Sequence, residues 1–558
     1  MSAVENLITD NLPIWSSSVQ LKSSSGRGTS SKRKLYGVKK LRELILDLAV
    51  RGLLVPQDPN DEPASVLLEN INLEKEQLFK RKAIKNPKIP LLPIGSELPY
   101  KVPDSWLFLR FSDSYYTISP SKNKLKTSDF LDRGRYPVVD QGQNFVSGYT
   151  MRKDLVIGIP HPVIIFGDHT RNIKLIDFDF VAGADGTKIL SPILINPAYF
   201  YNYCLSLRVE SRGYGRHFKI LNANLLALPP LSEQHRIVAK VDELMALCDT
   251  LEQQQEDSIQ AHEVLVEALL AALTDAFDSD AFHSAWQRIS ENFDVLFTTE
   301  HSIEKLKETI LQLAVMGKLV PQDPNDESAS ALIEKVITER RHLIASGVIK
   351  KSRRLANQLE NSSFNLPLPE SWCWVSLAEI GHDWGQKVPD NEFTYIDVGA
   401  INKDRGLIQD YNILDPESAP SRARKLVKKD SVIYSTVRPY LLNIAVIQSD
   451  INPEPIVSTA FAVIHPLGGI SSSYVSNYLR SNIFIQYVES CQTGIAYPAI
   501  NDKQFFSGLI ALPPLAEQYR IVAKVDELMA LCDQLKESLQ QAQQTQIHLT
   551  DAVVENAL

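Results

Sequence analysis

Apolar residues fall at Ile521, Val525, Leu528, Cys532, Leu535, Leu539 and Ala542, a 4-3-4-3 spacing that keeps one stripe of a helix apolar over several turns. The same stripe runs through Ile237, Val241, Leu244, Cys248 and Leu251, with Gln255 as a polar interruption. Both follow a Pro-Pro pair, Pro229-Pro230 and Pro513-Pro514, which a helix interior rejects. The pattern therefore predicts two long helices that start near the Glu-Gln pair that comes next. One such stripe packs as an ordinary amphipathic helix on its own domain. Two matching stripes point to equivalent helices able to pair antiparallel, and at ~1.5 Å per residue some 35 residues span about 50 Å.

The match extends to the letters. LPPLSEQHRIVAKVDELMALCD (Leu228 to Asp249) returns 284 residues later as LPPLAEQYRIVAKVDELMALCD (Leu512 to Asp533), with two changes in 22 residues. A second block, LILDLAVRGLLVPQDPNDEPAS (Leu44 to Ser65), returns as TILQLAVMGKLVPQDPNDESAS (Thr309 to Ser330) and shares LVPQDPNDE without change. Its prolines, Asp and Asn predict a turn between helices. A Ser-Trp signal follows each, VPDSW ending at Trp106 and LPESW ending at Trp372. Past the central LPPL block, AHEVLVEALLAALTDAF (Ala261 to Phe277) has parallels at both chain ends, IHLTDAVVENAL and AVENLITDNL (Ala3 to Leu12). The centre thus reads as the tail joined to the head. Such a circular array, cut at one point, predicts an internal pseudo-two-fold repeat with the termini close together.

Between these frames lie two stretches that share an order of elements but not letters. Each is rich in short strands: YPVVDQG, PVIIFGD and TKILSPILI in the first, FTYIDVGAI, DSVIYSTV, LLNIAVIQ and IVSTAFAVIHP in the second. Each then turns helical, PAYFYNYCLSLRVESRG and SSSYVSNYLRSNIFIQYVES, and passes a Gly-bearing loop before LPPL. A repeated frame that holds two differently written domains fits two related readers of two different things. The fold class is α+β, divided as 1–96 (N-terminal segment and first helical repeat), 97–227 (first reader), 228–365 (central repeat with long helix), 366–511 (second reader) and 512–558 (C-terminal long helix).

Composition narrows the class without naming a chemistry. With 44% hydrophobic and 22% charged residues in 558, the chain is an ordinary globular protein with no apolar run that approaches a bilayer span. Five scattered cysteines form no zinc spacing and suit a reducing cytoplasm, with Cys248 and Cys532 as core residues. A net charge of −9 argues against indiscriminate nucleic-acid binding while leaving room for local basic loops. The acidic N-terminus lacks the bases of a secretory signal.

Those loops carry the candidate contacts. Lys and Arg beside Gln, Asn, Thr, Tyr and His suit phosphate contacts combined with hydrogen bonds to base edges. In the first reader the candidates are Lys122, Lys124, Gln141, Gln143, Asn144, His169, Arg171, Arg212, Tyr214, Arg216 and His217. In the second they are Arg422, Arg424, Lys425, Thr436, Arg438, Tyr440, Gln492, Thr493, Tyr497 and Asn501. No catalytic motif accompanies them: phosphate loop, HEXXH, Gly-x-Ser-x-Gly and dinucleotide fingerprint are all absent. NPAY at Asn196 is close to the Asn-Pro-Pro-aromatic loop of adenine methyltransferases, but Ala198 stands where that loop has proline. GADGTK at Gly183 spaces Asp185 and Lys188 one residue too far apart for a nuclease ending, and His161, His169 and His217 lack ligand spacing.

The two variable domains, the repeated LPPL-x-EQ-x-RIV closure and the circular frame resemble the specificity subunit of type I restriction-modification enzymes, over almost the whole chain. The resemblance implies a DNA-binding protein without its own catalysis or cofactor. Two target recognition domains each read one half of a split asymmetric site, joined by two conserved long-helix regions that form an antiparallel coiled-coil spacer. It implies two modification subunits that methylate adenine with S-adenosylmethionine, and two restriction subunits that add ATP- and Mg2+-dependent translocation and cleavage, in the cytoplasm and without a membrane. About 35 residues, including SSSVQLKSSSGRGTSSKRK, precede the first matched helix and read as a linker. The rival readings are a tandem scaffold that binds protein partners and a DNA methyltransferase with NPAY in its active loop.

Overall fold

A computed structural model describes residues 3–21, 33–84, 94, 98–119, 124–183, 186–211, 213, 215–349, 367–403, 405–494 and 497–558. The chain forms two compact units, one of residues 1–259 with 541–558, the other of residues 260–540. The candidates Lys122, Arg212 and Tyr214, and most of the Ser/Gly/Lys stretch, lie outside the described residues.

The first unit opens with α1 (Ala3–Asp10) and α2 (Leu12–Ser17), then a short ribbon of β1 (Val19–Leu21) and β2 (Arg33–Leu35). The frame helices α3 (Tyr36–Val50) and α4 (Ala64–Lys80) flank the PQDPNDE turn. Gly52 ends α3 at φ +73°, and a Cβ there would lie 2.6 Å from the ring of Pro103, so the repeated Gly is required. The first reader comprises β3 (Leu107–Arg110), β4 (Tyr115–Ile118), β5 (Lys124–Leu125), β6 (Tyr136–Val139), β7 (Gly148–Thr150), β8 (Val163–Gly167), β9 (Ile173–Ile176), β10 (Val181–Gly183), β11 (Thr187–Pro192), α5 (Pro197–Ser206), α6 (Phe218–Asn222) and β12 (Leu225–Leu228). It holds two four-stranded sheets, ordered β5-β10-β6-β7 and β4-β11-β8-β9, and a separate ribbon β12-β3 in which Leu107 faces Leu228. That ribbon is the neck: the strand after the Ser-Trp signal pairs with the strand that leads into LPPL. The long helix α7 (Leu231–Asp275) follows and carries the chain into the second unit.

The second unit repeats this plan. After α7 come α8 (Ser279–Glu291), α9 (Phe293–Leu296) and the frame helices α10 (Glu300–Val315) and α11 (Ala329–Ala345). Its reader comprises β13 (Cys373–Ser376), α12 (Leu377–Ile380), β14 (Gly381–His382), β15 (Phe393–Ile396), β16 (Ile401–Asn402), β17 (Leu407–Ile408), β18 (Asn412–Leu414), β19 (Ala423–Leu426), β20 (Val432–Ser435), β21 (Ile444–Val446), β22 (Pro455–Ser458), β23 (Phe461–Pro466), α13 (Ser472–Leu479), α14 (Asn482–Cys491), α15 (Asp502–Ser507) and β24 (Leu509–Leu512). The sheets are β14-β23-β20-β21 and β18-β15-β22-β19, and the neck is β13-β24, with Cys373 facing Leu512. IVSTAFAVIHP, read as one strand, is two, parted at Thr459-Ala460, and SSSYVSNYLRSNIFIQYVES is two helices parted at Arg480-Ser481. The helix α16 (Leu515–Ala557) then runs from the second unit back to the first.

The long helices begin two residues before the Glu-Gln pair and reach 45 and 43 residues, about 65 Å each, longer than the apolar stripe alone indicates. The start of each stripe is filled within its own unit. Ile237, Val241, Leu244 and Cys248 share a core with Leu41, Leu44, Ile45 and Leu48 of α3, while Ile521, Val525 and Cys532 share one with Leu306, Ile310 and Leu313 of α10. Burial raises the Cys248 and Cys532 thiols to about 11, as befits core residues.

The circular arrangement holds, with one correction. The tail of α16 and the head of the chain lie in one unit: Ser18 Oγ and Thr550 Oγ1 are 2.6 Å apart, and Ile8 and Trp15 share a core with Val553 and Val554. In the second unit the counterpart of the head is α8–α9 rather than Ala261–Phe277, which ends α7 and matches only the tail. Ile8 and Ile289 are buried alike, Asn11 and Asn292 precede α2 and α9, and Trp15 and Leu296 close the pair. The parallel hides in the sequence because Pro13 and Trp15 stand where the centre has Asp294 and Leu296.

Candidate nucleic-acid interface

Each reader is gripped by repeated letters. Trp106 Nε1 donates to Glu233 Oε2 at 2.8 Å, and Gln57 Nε2 donates to Glu233 Oε1 at 2.5 Å. Arg236 grips Asp61 with two hydrogen bonds of 2.6 and 3.2 Å, and Asn60 N donates to Asp58 within the turn at 2.9 Å. The second copy reproduces every contact: Trp372 to Glu517 at 2.9 Å, Gln322 to Glu517 at 2.6 Å, Arg520 to Asp326 at 2.6 and 3.3 Å, Asn325 to Asp323 at 2.9 Å. Burial raises both glutamates above the usual carboxylate range, against the lowering effect of their Trp and Gln donors.

The glutamine beside each glutamate holds the reader itself, through its backbone. Gln234 Oε1 accepts from Asn196 N at 2.8 Å at the start of α5, and Gln518 Oε1 accepts from Ser471 N at 3.0 Å at the start of α13. Asn196 caps α5 by accepting from Ala198 N at 2.9 Å, and Tyr199 buries its ring and donates to Ala227 O at 2.8 Å. NPAY is therefore a helix start whose Asn is spent on backbone amides, not a methyltransferase loop.

Both readers end their central strand on the same backbone scaffold. Asp168 N donates to Gly186 O at 2.8 Å, and Thr436 N donates to Ala460 O at 2.8 Å. Their carbonyls accept from His217 N at 2.9 Å and Ile500 N at 3.0 Å. The loop after the central strand (168–172 or 436–443) is thereby set against the loop before α6 or α15, and the two loops differ in length and in letters apart from one left-handed Arg and the closing Asn172 or Asn443, whose carbonyl accepts from the end of the strand.

In the first reader a third loop, 140–147, joins them. Gln141 Oε1 accepts from His169 N at 3.2 Å, and Gln141 O accepts from Asn172 Nδ2 at 2.9 Å. Lys174, buried and with its ammonium pKa lowered by that burial, props this loop by donating to Asp140 O at 2.9 Å and Asn144 O at 2.5 Å. Gln143 and Asn144 are exposed at its tip. Arg171 is exposed in the left-handed backbone region (φ 63°) and donates to Val209 O at 3.0 Å, which ties two loops together. Arg216 is exposed on the loop before α6, and Lys124 is exposed on the edge strand β5.

His217 is a correction: its ring is fully buried, with Nδ1 on the Asp168 carbonyl at 2.9 Å, so it offers nothing to a ligand. Sequence alone does not separate such a histidine from an exposed one, because its burial comes from a strand 49 residues away. His161 pairs with Ser191 at 3.2 Å, and among the described residues no three His, Cys, Asp or Glu side chains gather as metal ligands.

In the second reader, Val437 bridges to Ala499, Thr493 bridges to Ala499, and Arg438 N donates to Pro498 O at 2.8 Å, which joins loops 436–443 and 492–501. Arg438 and Tyr497 meet there, Tyr440 and Thr493 are exposed on the two loops, and Gln492 is half-buried. Arg422 is exposed and Arg424 half-buried, its Nη1 donating to Ala423 O at 2.7 Å. Three candidates are corrected. Lys425 is buried on β19 and paired with Asp502 at 2.6 Å; Thr436 is buried and donates to Ala460 O at 2.8 Å; Asn501 spends its side chain as the cap of α15. Two residues were missed. Phe145 and Val437 are 53% and 41% exposed within the converging loops, and the available signal was an apolar letter inside a polar, Gly-flanked run.

The family profile described as "Type I restriction modification DNA specificity domain" matches residues 117–261. The chain is 36% identical to the Escherichia coli type I restriction enzyme EcoEI specificity subunit over 601 aligned positions that cover all of both chains. It is 35% identical to the EcoAI specificity subunit of the same organism, again with both chains fully covered. The crystal structure of the HsdS subunit from Thermoanaerobacter tengcongensis aligns with 83% of this chain and 99% of its own at 18% identity and a TM-score of 0.35.

Proposed function

The chain belongs to the type I restriction enzyme specificity subunits, and from that premise we propose that its two readers each recognise one half of a split, asymmetric DNA site. The observation that carries this is the pairing of one backbone scaffold with two unrelated sets of loop side chains, Gln141, Gln143, Asn144 and Arg171 in one and Arg438, Tyr440, Thr493 and Tyr497 in the other. Phosphate contacts from such residues position the protein, while base-edge contacts select the sequence.

The repeated frame supports two identical partners. Pro56, Asp58, Pro59 and Glu62 are exposed, as are Asp323 and Pro324 in the other copy, although the clasp does not need all of these letters. Letters kept in duplicate on the surface suit a partner that binds twice. We assign these surfaces to two modification subunits, with two restriction subunits completing the complex. Adenine methylation with S-adenosylmethionine, and ATP- and Mg2+-dependent cleavage, then belong to those partners, while this chain binds and orients DNA without catalysis of its own. Among the described residues no helix is long and apolar enough to cross a membrane, and the proposed location is the cytoplasm. No contact favours a protein scaffold, and the capping role of Asn196 removes the motif behind the methyltransferase reading.

Long-read methylation mapping of DNA from cells that co-express this chain with its modification subunit tests the proposal. A motif of two short half-sites at a fixed gap is the expected result. A competent complex that leaves no such motif would overturn it.

A further inference from the structure

Arg438 sits in the left-handed backbone region (φ 51°), which residues with a Cβ avoid. Its surroundings hold it there. Its N–H is fixed on Pro498 O at 2.8 Å, Pro439 follows, and Leu442 at φ 52° closes the turn. On the facing loop Gly494 has φ +92°, and a Cβ there would lie 2.8 Å from the Tyr497 carbonyl. Backbone held against its preference in an exposed loop marks a functional position.

What this geometry presents is one guanidinium among apolar side chains. The Arg438 guanidinium lies 4.8 Å from the centroid of the Tyr497 ring, and among the described residues it has no acceptor or carboxylate. Stacking limits its rotamers and leaves its in-plane N–H donors for an outside partner. Tyr497, against it, is 62% exposed, and Val437 and Tyr440, its near neighbours along the chain, are 41% and 50% exposed. A phosphate contact has no use for such neighbours. A major-groove edge that offers two acceptors next to a methyl group does: guanine O6 and N7 beside the 5-methyl of thymine. The first reader has no equivalent, because its left-handed arginines, Arg171 and Arg208, are committed to the Val209 carbonyl and to Asp47.

We propose that Arg438, braced on Tyr497, reads a guanine of the second half-site, and that Val437, Tyr440 and Tyr497 receive the methyl group of an adjoining thymine. This rests on the DNA-reading function proposed above and adds the bases that one reader takes.

The test uses the complex of the full chain with its modification subunits and duplexes that carry the mapped motif. Each guanine in turn is replaced by 7-deazaguanine, which lacks the N7 acceptor, and each thymine by uracil, which lacks only the methyl group. One guanine whose deaza form weakens binding roughly ten- to a hundred-fold, next to a thymine whose uracil form also weakens it, is the expected result. Arg438→Lys, which keeps the charge but not the fork or the stack, is expected to bind more weakly and to be indifferent to the deaza substitution. If no guanine in either half-site responds, if Arg438→Lys still discriminates, or if it weakens all sequences alike with the guanine response intact, the proposal is overturned. The modified-base series on the unaltered chain stands even where the variant fails to fold. An unaltered complex that binds no split motif would instead overturn the DNA-reading function itself.

Discussion

The indole of Trp106 donates to the carboxylate of Glu233 across 127 residues of chain, and Trp372 does the same to Glu517 across 145. The bond joins the residue just before a reader to the helix just after it, so it closes whatever lies between. Each glutamate also accepts from the Gln of PQDPNDE. Replacing Glu517 by Ala strips the acceptor from the buried Trp372 indole, at about 1–3 kcal/mol, and breaks the hydrogen bond of the exposed Gln322, at about 0.5–1.5 kcal/mol. Thermal or denaturant unfolding is expected to show the second unit destabilised by about 2–4 kcal/mol, and hydrogen exchange to show lost protection at Trp372 and in β13 and β24. Unchanged exchange at the neck would remove the clasp from the account.

The location of head and tail in one unit predicts that the chain tolerates a new cut. Joining residue 558 to the N-terminus through a short linker and opening the chain at Ala276–Asp278, where Phe277 is 90% exposed, relocates only the break in the ring. The permuted chain is expected to melt within a few degrees of the parent and to direct the same methylation motif. A chain that aggregates would show that the link after α7 does more than connect.

Because the neck and the Glu-Gln pair hold each reader through the same backbone groups and the frame's own Trp, the readers are interchangeable in the sockets at the cost of the Arg208–Asp47 ion pair, since Gln312 stands where the first frame has Asp47. Placing residues 107–227 between Trp372 and Leu512 is expected to give a methylated motif built from two copies of the first half-site. A motif that keeps the original second half would show that specificity resides in the frame.

A pH dependence follows from one cluster in the second reader. His382 and His465 face each other across β14 and β23 with centroids 5.5 Å apart, beside Trp384, whose ring carries Lys428 at 3.8 Å. Burial holds both imidazoles below the usual value near 6.5, and for His465 the neighbouring His382 adds to the effect. A base depressed in the folded state contributes stability above its unfolded pKa and loses it as pH falls through the folded value. The second unit is therefore expected to loosen as pH drops below about 6.5, as read by hydrogen exchange, and His382→Phe is expected to flatten that dependence. Glu233 and Glu517, raised by burial, act with the opposite sign and favour folding as pH falls, but one lies in each unit, so the difference in pH response between the units reports the histidines.

The long helices predict a ruler. Lengthening both by one turn, ~5.4 Å, is expected to widen the recognised gap by one or two base pairs in methylation mapping. An unchanged gap would mean that DNA bending, not helix length, sets the spacing.

Much of this was legible because the frame is written twice. Repetition exposed the turn, the Ser-Trp signal and the helix start, and the repeated Gln57, Asp61, Trp106, Glu233 and Arg236 all have partners in the structure. The loops were legible in place but not in detail. Arg438 and Lys425 look alike in sequence, yet one is half-buried against an exposed Tyr497 ring and the other is buried against Asp502, because strand pairing at a distance decides which side of β19 faces inward. The α8–α9 counterpart of the head was hidden for a related reason: packing preserves a buried apolar position at Ile8 and Ile289 without preserving its neighbours.

The division of the chain into a contiguous unit, 260–540, and a unit made of both ends has a consequence for synthesis. The middle unit has all its parts before the last helix is finished, whereas the first must wait for residues 541–558 to cover Ile8 and Trp15. At ~5–20 residues per second on the ribosome, that wait is roughly 15–60 s. During it the older half of the nascent chain has an uncovered apolar face, and residues 541–558 close it.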